Sequence, residues 1–373
     1  MTDFIDRLLD LAVQIQQIPA PTFEEKQRAE FVRDMFVKEK LLDVSMDSVN
    51  NVYGRLAGNG KGKPLIVSAH LDTVFPANTD LKTTREEGRI YGPGIGDNSM
   101  GLAALPGLLW LMRERNVKPA GDVWLVASVC EEGLGDLRGM KAVVDRFGAE
   151  VQAYLVIEGT ALGQIYHRAV GVRRYRVMAR TAGGHSWSDY GQPSAVHELA
   201  RLVTQITALP VPSSPRTTLN VGLISGGTGV NVLASEAKFE LDLRSEGAEA
   251  LKDLVQSVED KIRSVNRDGV AIDMQVIGQR PAGGIAAEHP LVKLADECLA
   301  EQGLKAALTS GSTDANVPLS RGYPAIVLGV TTGGSAHTVH EYIETAPVEK
   351  GMEQLATFVE RTWDYSFSNL LIM

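Results

Sequence analysis

The feature that most restricts the fold of this chain is a change of rhythm in its middle. From Asn51 to Ile157, short apolar β-branched runs alternate with amphipathic stretches, and the alternation resumes at about His289. Strand–helix alternation of this kind builds an α/β layer around a largely parallel sheet. Between the two stretches the predicted order is strand 170–181, helix 194–209, strands 218–225 and 232–244, helix 248–265 and strand 270–277. That β-α-β-β-α-β order is the split βαβ pattern of ferredoxin-like domains. Gly171 lies on one side of the block and Arg280-Pro281-Ala282-Gly283-Gly284 on the other, as befits hinges. The expected organisation is one α/β domain built from residues 1–168 and 283–373, with an α+β domain inserted at 169–282.

Charge narrows the partners. The 373 residues carry 37 basic and 46 acidic side chains, a net charge of −9. This argues against nucleic acid or an anionic membrane as the main partner. The hydrophobic share of 44% and charged share of 22% are those of an ordinary folded protein. The most apolar run, 101–112, is too short to span a bilayer and contains Pro106. Asp3, Asp6 and Asp10 do not fit a secretory leader, so the expected compartment is the cytoplasm. Cys130 and Cys298 have no metal-binding or redox spacing and read as small buried hydrophobes.

The residues that carry chemistry lie at or just after predicted strands. Ser68-Ala69-His70-Leu71-Asp72 ends a buried run with an imidazole and sets a carboxylate two residues on. Imidazole is a good zinc ligand, and a carboxylate on its other nitrogen fixes the tautomer. A lone histidine is nonetheless more often a hydrogen-bonded structural residue. Gly92-Pro93-Gly94-Ile95-Gly96-Asp97 brings backbone close to a carboxylate that alone would read as a helix cap. Its glycine spacing fits neither a dinucleotide fingerprint nor a P-loop. Cys130-Glu131-Glu132-Gly133 sets two carboxylates beyond an apolar strand. A turn there can aim both at one site, one for a metal and one as general base. Glu158 ends a further strand, and the segment Gly333 to Glu341 adds His337 and His340. Open α/β sheets place their sites at such strand ends. Histidines and carboxylates with little cysteine suit zinc, as one ion or a pair. No serine elbow or H-E-x-x-H helix competes.

The stretches S-A-H-L-D-T-V, G-I-G-D-N-S-M-G, E-E-G, I-E-G-T and H-T-V-H-E-Y follow one another in this order around the inserted domain. In that arrangement the chain resembles, over essentially its whole length, the dinuclear zinc metallopeptidases. These include aminoacylase, acetylornithine deacetylase, succinyl-diaminopimelate desuccinylase, peptidase T and glutamate carboxypeptidase. The resemblance implies a zinc-exopeptidase-like catalytic domain and an inserted lid and dimerisation domain. It implies two Zn2+ per chain, with Co2+ or Mn2+ as substitutes. His70 and Glu158 would hold one ion, Glu132 and His337 the other, and Asp97 would bridge them. Glu131 would be the general base acting on the bridging water, and Asp72 would orient His70. The family's spacing favours His337 over His340 as the ligand.

In the insert, His185 resembles a histidine that reaches a neighbouring active site and helps polarise the scissile carbonyl. Asn231 and Arg244 resemble substrate-binding residues, and arginine's planar fork suits a carboxylate. Gly311-Ser312-Thr313-Asp314 resembles a substrate-contacting loop, whereas His167, His197 and His289 match no functional position. Trp187 either lines the cleft or packs. The implied reaction is hydrolysis of an amide bond in a small peptide or an N-acyl amino acid. Glutamate at position 158 favours enzymes that read a free carboxylate, a carboxypeptidase or deacylase. A peptidase T-like aminopeptidase on di- and tripeptides is the alternative. A non-catalytic binding homologue is the alternative from another class; it would have lost a ligand or Glu131, and neither is lost. The implied assembly is a homodimer through the insert, with no nucleic-acid or membrane partner.

Overall fold

Runs of Val, Ile and Leu without polar alternation are what a parallel sheet covered on both faces requires. Leu65–His70 and Ala325–Gly329 are buried at every position, and Ala153–Glu158 at all but its last. The computed structural model describes residues 2–367. Among these, a nine-stranded sheet contains, in spatial order, Leu42–Met46, Val52–Leu56, Val123–Ser128, Leu65–His70, Ala153–Glu158, Ala325–Gly329 and Gln164–Ala169. Val123–Ser128 and Ala153–Glu158 flank Leu65–His70, and both run parallel to it. The chain thus winds to one side of Leu65–His70 and then to the other. The carboxyl ends of these strands meet at that change of direction, where open α/β sheets hold their ligands. The helix Gly101–Glu114, buried along most of its length, packs against Thr2–Gln16 and Val348–Arg361.

The sheet is mostly parallel, as expected, with differences at its margin. Leu42–Met46 and Val52–Leu56 form an antiparallel edge. A second, four-stranded antiparallel sheet joins Thr84–Glu86, Arg89–Tyr91, Tyr342–Glu344 and Gly333–Gly334. The helix Val348–Arg361 tightens at its end into one 3₁₀ turn, Thr362–Asp364.

The chain divides into two compact units, one formed by the segments up to Ala169 and from Gly284 onward, the other by Val170–Gly283. In the second, the strands Thr217–Gly226, Glu236–Ser245, Gly171–Thr181 and Val270–Arg280 lie in that order, all antiparallel to their neighbours. The helices Ala195–Thr207 and Ala248–Ser264 bury Leu199, Leu202, Leu254 and Val258 with Tyr175, Val177, Phe239 and Leu241 in a core of its own. The strand expected over 232–244 is two strands. Val232–Leu233 pairs with Gly184–His185, and only from Glu236 does the chain join the main sheet. Among the described residues no helix is long and apolar enough to cross a membrane.

Candidate metal centre

His70 ends its strand facing the switch point and is 2% exposed. Its Nδ1 lies 3.0 Å from the Asp72 carbonyl oxygen. A carbonyl only accepts, so Nδ1 carries a ring proton and Nε2 is the nitrogen turned toward the carboxylates. Nε2 points at Asp97 Oδ1, 3.0 Å away, and at Glu158 Oε2, 3.7 Å away. The Asp72 carboxylate is more distant from the ring, 3.5 Å from Nδ1. It is chiefly engaged elsewhere: the N–H groups of Glu131 and Glu132 donate to Oδ1 and Oδ2 at 2.9 and 2.8 Å. Asp72 therefore orients His70 through its carbonyl more closely than through its side chain. The carboxylate sets the Glu131–Glu132 turn.

Asp97 lies in a kink, not at an ordinary helix start. Asp97 and Asn98 leave helical geometry just before Gly101–Glu114, and the peptide between them is cis. Asn98 ties the kink to the neighbouring strand end, donating to the Ile157 carbonyl at 2.8 Å and accepting from the Gly159 N–H at 3.0 Å. Gly159 is needed for this approach, because a Cβ there would stand 2.0 Å from the Gly96 carbonyl oxygen. The far side of the kink is held by Glu341. Its Oε1 accepts from the N–H groups of Gly96 and Asp97, both at 2.8 Å, and its Oε2 from that of Gly94 at 3.0 Å. Glu341 is 1% exposed, and sequence reasoning gave it no role. The signal was its place in the same short segment as His337.

The small antiparallel sheet carries His337 to the other side of Asp97. His337 Nε2 lies 3.0 Å from Asp97 Oδ2 and 3.2 Å from Glu132 Oε1. Candidate ligand atoms of His70, Asp97 and Glu158 lie within 4.8 Å of one another. The same holds for Asp97, Glu132 and His337, and for His70, Glu131 and Glu132. His340 joins none of these groups. Beneath them, buried Asp314 of the Gly311–Asp314 loop accepts from Ser128 Oγ at 2.6 Å, beside His70 in the sheet register.

Electrostatics follow from this crowding. Burial pushes the Glu158 carboxyl up to about 7, with repulsion from Asp97 and Asp314 adding to it and His70 opposing. Burial also opposes charge on Asp97, but hydrogen bonds from His337 and His70 prevail and hold it far below the usual carboxylate range. Asp97 and Glu132 raise His337 to about 10.

Of the residues expected to form the site, His70, Asp72, Asp97, Glu131, Glu132, Glu158 and His337 are brought together in one unit. His185, Asn231 and Arg244 belong to the other. There His185 and Asn231 are neighbours, because the Ser186 N–H donates to the Asn231 carbonyl at 3.0 Å. Arg244 is eight residues of strand away from Glu236, which begins the main strand just past that loop pair. The separation is roughly 26 Å at about 3.3 Å per residue. Arg244 donates to Asp242 Oδ2 at 2.7 Å. Trp187 is 87% exposed and does not pack into the core of its own unit. His167 and His289 are buried and hydrogen-bonded to backbone, and His197 is exposed.

An α/β sheet whose strand ends gather imidazoles and carboxylates around one shared aspartate is the architecture of a metal-dependent hydrolase. The sequence profile of Peptidase family M20/M25/M40 matches residues 66–361, and the chain belongs to that family. It is 25% identical over 358 residues to the succinyl-diaminopimelate desuccinylase of Corynebacterium glutamicum, covering 93% of this chain and 94% of that one. Among solved structures, a tripeptidase from Staphylococcus aureus superposes with a TM-score of 0.83 at 22% identity, covering 97% and 99% of the two chains. Aminopeptidase PepT from Bacillus cereus gives 0.80 at 22% identity over 96% and 99%. A Bacillus subtilis protein described as a dinuclear metal binding peptidase of family M20 gives 0.71 at 15% identity over 96% and 98%. The chain is a metallohydrolase of amide bonds.

Proposed function

We propose that this chain holds two zinc ions and hydrolyses the amide bond of N-acyl amino acids or small peptides that carry a free carboxylate. The observation that carries the reading is Asp97, whose two oxygens each lie 3.0 Å from a different imidazole. One carboxylate so placed faces two sets of donors at once. The donors fit the ions: all are nitrogen or carboxylate oxygen, the set zinc accepts. Four carboxylates against two imidazoles also leave excess negative charge in a largely buried cluster, which cations neutralise. His70 and Glu158 are assigned to one ion, Glu132 and His337 to the other, and Asp97 to both.

When bound, such ions polarise the amide carbonyl and acidify the attacking water. Glu131 takes the proton of that water and returns it to the leaving nitrogen. Asp72 holds His70 through its carbonyl and the Glu131–Glu132 turn through its carboxylate. Arg244 is assigned to the substrate carboxylate, and His185 with Asn231 to the carbonyl oxygen. The length of strand from Glu236 to Arg244, roughly 26 Å, exceeds the reach of a small substrate. A homodimer through the insert removes the difficulty, with His185 and Asn231 serving the partner's site. Similarity to a desuccinylase over 93% of the chain supports the acyl-amino-acid side, and the cytoplasm is its proposed compartment.

The test is a matched pair of substrates given to the zinc-loaded protein: an N-acyl dipeptide with a free carboxylate and a tripeptide amide with a free amine. Cleavage of the first alone is the expected result. Cleavage of the second alone moves the protein to the aminopeptidases.

A further inference from the structure

Three consecutive backbone N–H groups, those of Cys130, Glu131 and Glu132, are held by two buried carboxylates. Asp72 takes the second and third. The first belongs to Glu25, whose Oε1 accepts from the Cys130 N–H at 3.0 Å and lies 3.4 Å from Cys130 Sγ. The Phe23 N–H donates to the same oxygen at 3.0 Å. Cys130 has φ 59°, a left-handed conformation that a side chain adopts only where its surroundings impose it.

Glu25 is unusual for its place. It occupies the N-cap of Lys26–Lys38, where an acid ordinarily sits in solvent and serves its own helix. It makes no side-chain cap bond there and is 4% exposed. Burying a carboxylate is costly unless hydrogen bonds compensate, and its bonds are to residues 23 and 130. The same short segment braces the other motif, since Thr22 Oγ1 donates to Asp72 Oδ2 at 2.9 Å and Arg28 Nη1 to the Leu71 carbonyl at 2.9 Å. All three residues precede the span matched by the family profile, 66–361.

We propose that Glu25 is a positioning residue for the site. By fixing the Cys130 amide in its left-handed conformation it sets the angle at which Glu131 and Glu132 leave the strand. The inference rests on the reading of Glu131 as base and Glu132 as metal ligand. Small misplacements of such groups are costly to both chemistry and binding.

The test uses the full chain with Glu25→Ala, which removes the acceptor, and Glu25→Gln, which keeps an oxygen for the two amides. Cobalt(II) titration followed by visible absorption reads the ligand set. Hydrogen exchange of a peptide spanning residues 129–133 in the metal-free protein reads the clamp itself. Glu25→Ala is expected to weaken cobalt binding and lower kcat by about 10- to 100-fold with KM little changed, and to speed exchange at Cys130. Glu25→Gln is expected to restore all three nearly to the parent values. If Glu25→Ala matches the parent in cobalt affinity, kcat and exchange, or if Glu25→Gln fails like Glu25→Ala, the positioning role is overturned. A parent chain that binds no cobalt and cleaves neither substrate overturns the metallohydrolase reading instead, a result distinct from either.

Discussion

At the scale of single residues, Glu131 and Asp72 are separated by what they touch. Glu131 is 5% exposed and forms a candidate ligand group with His70 and Glu132, yet the Asp97-centred groups are complete without it. Given the proposed role of Glu131 as base, Glu131→Gln is expected to leave metal binding intact and to cost about 10²- to 10⁴-fold in kcat. Metal analysis beside steady-state kinetics checks this, and high residual turnover at full zinc content would remove the role. Asp72→Asn is expected to behave differently. Both carboxylate oxygens accept backbone N–H groups, and an amide nitrogen in place of one oxygen faces a donor with a donor. Zinc affinity and kcat should then fall together, by about 10- to 100-fold. A loss of kcat alone would show that the turn is held by other contacts.

At the scale of elements, the candidate metal centre depends on close approach between the Asp97 kink and the end of Ala153–Glu158. Gly159→Ala would drive a methyl group against the Gly96 carbonyl, a backbone atom that cannot swing aside. A stability loss of about 1–3 kcal/mol is expected, with weakened zinc binding, read by urea denaturation and metal titration. Another element carries a pH dependence. The helix Pro290–Glu301 is capped by His289, whose Nδ1 accepts the Leu291 N–H at 3.1 Å, and burial lowers this imidazole's pKa below the usual 6.5. The unfolded chain then binds the proton more readily, so stability is lost as pH falls below about 6.5. His289→Asn, which caps without titrating, is expected to flatten the urea midpoint between pH 7.5 and 5; an unchanged slope would exclude the cap as its source. Sequence patterns reveal elements of this kind where their causes are local. The buried parallel strands and the motif residues at their ends were legible because period and chemistry lie within a few neighbours. Thr84–Glu86 and Gly333–Gly334 were not, being too short to show a period and held only by pairing. Glu341 and Glu25 escaped for a related reason, since their partners lie 244 and 105 residues away in the chain.

At the scale of the whole molecule, the inserted unit has its own core and a sheet in ferredoxin-like order. The break in rhythm at residue 170 was therefore legible, whereas the distribution of its functional side chains was not. A linear motif gives His185, Asn231 and Arg244 equal standing; the strand register sets Arg244 at the opposite end from the other two. Under the proposed homodimer, a site draws Glu131 from one chain and His185 from its partner. His185→Ala and Glu131→Ala should each be depleted in activity when pure. Refolded together in equal amounts, they form mixed dimers in half of cases, and each mixed dimer holds one site with both residues intact. Recovery to about one quarter of parent activity is expected from this statistical assortment, with the dimer mass confirmed by light scattering. If His185 acts within its own chain, every site in the mixture lacks one residue or the other, and mixing recovers nothing.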